Sequence, residues 1–164
     1  MKKIFLLLSI VSTFALTSCN VDDDRPDNDT ISEMFHVDNV NFVASGQYRA
    51  LVPLNPAIYS SDVILVYRWA GVNSLNHDIW EPVPNTYNLD EGKLSFFFDF
   101  SVDDVVLYLE SEFDPMLRQD FSLNQSFRIV IVPAYDNSAR MNMSYDSVVA
   151  RYGLKEKDVK HIKL

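Results

Sequence analysis

Residues 94–100 read Leu-Ser-Phe-Phe-Phe-Asp-Phe, and that alternation limits the folds open to the chain more than any other stretch. On a backbone of period two, Leu94, Phe96, Phe98 and Phe100 share one face, and Ser95, Phe97, Asp99 and Ser101 share the other. A strand with four large apolar groups on one side needs a second layer to bury them. A slip of one residue would expose all four at once, so the register is firmly set. Just upstream, Asp90-Glu91-Gly92 supplies a turn that predicts residues 87–89 folding back on this strand as a hairpin.

The other apolar runs are short as well. Val63-Ile64-Leu65-Val66-Tyr67 is apolar at every position, which predicts a strand covered on both faces, and residues 127–132 read the same way until Pro133 stops them. Further strands are predicted around residues 40–43, 48–52, 80–83 and 105–109. About seven or eight short strands with no long helix among them predict an all-β, antiparallel, Ig-like β-sandwich. The C-terminus adds one short helix: Ser144 is a good N-cap, Tyr145, Val148, Val149 and Tyr152 share a face at helical spacing, and Gly153 ends it. Residues 155–164 read as a final edge strand, with Ile162 and Leu164 facing inward and lysines discouraging edge-to-edge pairing.

The N-terminus is built differently. Lys2 and Lys3 precede an apolar stretch, residues 4–16, interrupted only by Ser9, Ser12 and Thr13, and then comes Leu16-Thr17-Ser18-Cys19. That is the layout of a signal peptide, and it is too short to span a hydrocarbon core of about 30 Å as a permanent helix. Leu16-Thr17-Ser18-Cys19 resembles a lipobox, which implies diacylation of Cys19 and cleavage before it. The expected division is therefore residues 1–18 as signal peptide, 19–33 as the lipidated cysteine with an acidic, disordered tether, and 34–164 as a single β-sandwich domain. In the tether Asp22, Asp23, Asp24, Asp27, Asp29 and Glu33 face one basic residue, Arg25, and such a composition cannot repay the entropy of ordering. An EF-hand register through Asp22, Asp24 and Glu33 fails at Pro26 and Asp27, where a ligand and a glycine are required.

Losing residues 1–18 removes two lysines and no acid, so the net charge moves from -9 to -11. So acidic a surface repels nucleic acid and anionic headgroups, which need basic footprints. Attachment to a membrane then falls to the lipid. Cys19 is the only cysteine, so the domain has neither disulfides nor a catalytic thiol.

Few motifs carry chemistry. The four glycines, Gly46, Gly71, Gly92 and Gly153, form no phosphate-binding loop, and no G-x-S-x-G elbow is present. His36, His77 and His161 are dispersed, without the paired spacing of a zinc site, and are read as structural. No nucleotide, cofactor or metal is expected, and the chain is read as non-catalytic. Glu110, Glu112 and Asp114 alternate and could converge on calcium, but without partners to complete coordination an acidic loop at a sandwich end is the favoured reading. Trp69, Trp80 and Phe97 are the candidate ligand contacts, with Tyr59, Tyr67 and Tyr87 as further aromatics; exposed rings on a rigid sheet can stack on sugars, whereas buried rings are core.

The segment Cys19-Asn20-Val21-Asp22-Asp23-Asp24 resembles the lipobox and acidic export signal of surface lipoproteins of the Bacteroidetes. The body is similar to a family of small, uncharacterised lipoproteins of that group, through residues 61–68, Trp80-Glu81-Pro82-Val83-Pro84, residues 124–134 and the tail 159–164. The resemblance implies a lipid-anchored outer-membrane or cell-surface protein that binds or scaffolds a protein or glycan partner. It carries over no catalytic residue. Relatives with a collagen-like insert differ here, since the acidic tether stands in its place. A small carbohydrate-binding or carbohydrate-acting accessory module is the alternative, distinguished by whether Trp69 or Trp80 lies exposed beside carboxylates in a groove.

Overall fold

In the computed structural model, residues 32–133 and 143–164 are described; Cys19, Asp22, Asp23 and Asp24 lie outside them. Nine strands make two sheets, and the fold is an all-β sandwich as expected. One sheet has five strands: β1 (Glu33–Val40), β3 (Val63–Val72), β4 (Asp78–Val83), β8 (Gln125–Val132) and β9 (Lys160–Ile162), in the order β4-β3-β8-β1-β9. The other has four: β2 (Arg49–Pro53), β5 (Asn85–Leu89), β6 (Gly92–Phe100) and β7 (Asp104–Ser111), in the order β2-β7-β6-β5. All pairs are antiparallel except β1 with β9, which run parallel.

The core lies between the sheets. Phe96 on β6 is 1% exposed and meets the rings of Phe42, Phe127, Tyr87 and Phe121 at centroid distances of 5.8, 6.0, 6.1 and 6.5 Å. The first three are edge-to-face, and such pairs add about 0.5–1.5 kcal/mol each to the burial of the rings. The β5–β6 hairpin forms as expected, with Tyr87 opposite Leu94 and Leu89 opposite Gly92. Gly92 is needed there, because its φ of 136° is left-handed territory and a Cβ would come within 3.2 Å of the Glu112 Cβ.

The inner face of β6 ends sooner than its alternation suggests. Leu94 and Phe96 are buried and Phe98 is half-buried, but Phe100 is 45% exposed. At that end the strand runs out of facing side chains, and the Phe100 ring stacks on Phe98 instead, 6.4 Å away.

The five-stranded sheet is covered on both sides. One face packs on the four-stranded sheet, and the other receives α2 (Tyr145–Tyr152), whose Val148 is fully buried against Met34, Leu65, Tyr67, Val130 and Val132. This accounts for the unbroken apolar runs of β3 and β8. The helix follows Ser144 and ends at Gly153, which is left-handed at φ 62°. The Ser144 hydroxyl meets Ser147 Oγ at 2.8 Å and makes no side-chain hydrogen bond to a helix N–H.

Three expectations shift. The first strand lies at Glu33–Val40 and not at residues 40–43, and it begins on the last residue assigned to the tether. Its alternation was disguised because Met34 packs under α2 while Phe35 and Val37 face the other sheet. The tail does form an edge strand, β9, but Leu164 is 56% exposed; Ile162 packs against the core between the sheets, and Val159 against the cluster under α2. A short helix absent from the sequence reading, α1 (Gln119–Ser122), brings Phe121 onto the core before β8.

Candidate functional site

α2 covers only part of the outer face of the five-stranded sheet. Where it stops, the alternation of four strands brings a mixed group of side chains to the surface: Trp69 and Trp80 opposite each other on β3 and β4, Ser126 and Arg128 on β8, and His36 and Asp38 on β1. They line a cleft of about 270 Å³ that Asp78 completes.

Trp69 is held at the surface by its local backbone. A register shift between Trp69 and Val72, with Gly71 at φ 113°, carries β3 into a turn. There the Asn73 side chain accepts from the backbone N–H groups of Leu75 and His77. The return strand β4 places Asp78 so that Trp69 Nε1 donates to Asp78 Oδ1 at 2.8 Å. Trp69 is 40% exposed, and its indole N–H is satisfied by Asp78. Trp80 is half-buried: His36 meets its ring edge-on at 5.7 Å, Tyr145 of α2 lies at 5.6 Å, and the Arg128 guanidinium sits 4.4 Å above it.

Arg128 is buried and its charge is matched. Its guanidinium donates to both carboxylate oxygens of Glu156, at 2.6 Å for Nη2 to Oε2, and to the Tyr145 hydroxyl. At the far end of the cleft His36 Nε2 lies 2.9 Å from Asp38 Oδ1, Ser126 Oγ donates to the same oxygen at 2.6 Å, and the His161 ring of β9 is 5.1 Å from that of His36. Partial burial pushes the Asp38 carboxyl up, but the hydrogen bonds from Ser126 and His36 outweigh it and hold the group below its ordinary value.

A second cavity, of about 400 Å³, opens from the interior beside the first and shares Trp69 and Ser126 with it. Its buried wall is Arg68, whose Nε donates to Gln125 Oε1 at 2.8 Å and whose Nη1 donates to the Tyr87 hydroxyl at 3.1 Å. The guanidinium also lies 4.7 Å from the Phe96 ring and 5.0 Å from Phe121. Tyr87 in turn donates to Glu81, and burial together with that carboxylate pushes its hydroxyl up to about 12.

The remaining candidates lie elsewhere. Phe97 is on the outer face of the other sheet, half-buried and stacked on Tyr108 at 5.6 Å, with Arg49 4.8 Å over the Tyr108 ring. Tyr67 is core beneath α2, so its expected place among the aromatics is structural. Glu110, Glu112 and Asp114 do not converge: Glu110 is opposite Ser95, Glu112 accepts from the Lys93 N–H, and Asp114 accepts from the Met116 N–H and the Tyr48 hydroxyl. Among the described residues, the group of three with metal-ligand geometry is His36, Asp38 and His161. Sequence reading passed over it. His-x-Asp on an alternating strand does signal two groups on one face, but His161 joins them only because β9 pairs with β1 across nearly the whole length of the domain.

Comparison with known proteins finds no family model, no curated protein and no solved structure that matches this chain.

Proposed function

We propose that this is a lipid-anchored binding protein of the bacterial cell envelope, held through Cys19 and displayed by the acidic segment behind it, and that it takes a saccharide on its Trp69 face. The observation that carries this reading is the open Trp69 ring beside the Asp78 and Asp38 carboxylates. A flat apolar ring suits the C–H face of a sugar, and fixed carboxylates and imidazoles around it suit its hydroxyls. The ring is positioned by a sheet, so little order has to be gained on binding. The anchoring part rests on the lipobox-like sequence and the acidic residues after it.

The test uses the full-length protein in detergent, screened on a glycan array, with hits followed by calorimetry. A saccharide that binds wild type should bind Trp69→Ala at least about tenfold more weakly, a loss of roughly 1.4 kcal/mol. If no saccharide discriminates the two proteins, the glycan reading is lost. A protein-scaffolding role would then be favoured by the outer face of the four-stranded sheet, which no described element covers and where Leu51 is 57% exposed.

A further inference from the structure

We propose that His36, Asp38 and His161 bind a divalent transition-metal ion of the zinc class, which pins the C-terminal strand to β1 and leaves a coordination position facing the Trp69 cleft. The inference does not depend on the saccharide reading. It begins with register: β1 and β9 run parallel with His36 directly beside His161, and Asp38 is two residues further along β1 on the same face. Three ligand atoms from these residues lie within 4.8 Å of one another. A four-coordinate zinc ion, with bonds of about 2.0–2.2 Å, holds its ligand atoms roughly 3.3 Å apart. The proposal requires side-chain rotation to close the remaining gap of up to about 1.5 Å.

The donor set selects the metal. Two imidazoles and one carboxylate suit zinc and its neighbours, whereas calcium and magnesium require oxygen ligands. Supporting contacts aim the ligands. Ser126 Oγ occupies Asp38 Oδ1 and so leaves the second oxygen for an ion, and the Trp80 ring fixes His36 edge-on. His36 Nδ1 is enclosed without a hydrogen-bond partner, so the ring engages its surroundings through Nε2, the atom that faces Asp38. The cations on the two flanking strands are both paired, Arg128 of β8 with Glu156 and Lys160 of β9 with Glu33, so they oppose a metal charge weakly. With three protein ligands the fourth position is left to water or to a donor in the cleft.

The experiment uses untagged full-length protein, stripped with EDTA and titrated with zinc chloride by calorimetry, and with cobalt chloride by absorption. The expected result is one zinc per chain with micromolar or tighter affinity, a rise in the thermal midpoint that EDTA reverses, and the visible bands of four-coordinate Co²⁺. His161→Ala, at an exposed position where folding is not at risk, and His36→Ala should each abolish the Co²⁺ bands and the stoichiometric zinc binding. His77→Ala should change neither. Absence of saturable binding to wild type would overturn the proposal. Binding that survives both His36→Ala and His161→Ala would place the ion elsewhere on the chain and overturn it equally.

Discussion

Phe96 and Phe100 sit four residues apart on the same face of one strand, yet they live in different surroundings. Phe96 is enclosed by four rings, while Phe100 keeps 45% of its surface in water. Phe96→Ala should therefore cost about 3–5 kcal/mol, much of the roughly 5–15 kcal/mol that stabilises a domain. Phe100→Ala should cost under about 1 kcal/mol, since it gives up one stacked contact on Phe98. Urea titration reads both, and equal losses would mean that the open end of the sandwich is closed in solution. Alternation told which side each ring takes, because side-chain direction is a property of the local backbone. How far along the strand a facing layer continues is set by the other sheet. The same division explains the tryptophans. Their residue type made both of them candidates, but whether a ring is roofed depends on α2, which shelters Trp80 and stops short of Trp69.

At the level of elements, the C-terminal helix was legible from its cap, its spacing and Gly153, whereas its docking place was not. It lies on the outer face of the five-stranded sheet and buries Tyr67, whose hydroxyl donates to the Met143 carbonyl at 3.0 Å. Burial, with a smaller contribution from Tyr152, pushes the Tyr67 hydroxyl from 10.0 up to about 12. Because the folded value lies above the unfolded one, the contribution to stability is complete below pH 10.0 and is lost as pH rises through about 12. Tyr87 shifts in the same direction to about 12, so both phenols destabilise the fold over one alkaline window. Tyr67→Phe gives up the Met143 hydrogen bond but cannot ionise. Its urea midpoint should start lower near neutral pH and fall less steeply than that of wild type across the alkaline window. Parallel curves for the two proteins would assign the alkaline loss to other groups. The metal-ligand cluster is also an element-scale product. It forms because a three-residue strand from the chain's end adds parallel to its first strand, a pairing that no local periodicity encodes.

For the whole molecule, the proposed anchoring makes Cys19 decisive. Cys19→Ala should leave an unprocessed precursor or a form that no longer enters the detergent phase on Triton X-114 partitioning, since a diacyl group contributes about 0.8 kcal/mol per buried CH₂. Unchanged partitioning of the variant would sink the lipid anchor. No helix among the described residues is long and apolar enough to cross a membrane. What the sequence determined by itself was the class of fold, the hairpin at Asp90-Glu91-Gly92, the two doubly covered strands and the short helix. Each of these follows from near-neighbour chemistry: period, turn residues, caps and unbroken apolar runs. Tertiary structure alone decided the strand order, the reach of α2, the exposure of Trp69 and the meeting of His36 and Asp38 with His161. Those depend on contacts between residues far apart in the chain, where pairing is chosen by the total area two layers bury together and not by any pattern within one of them.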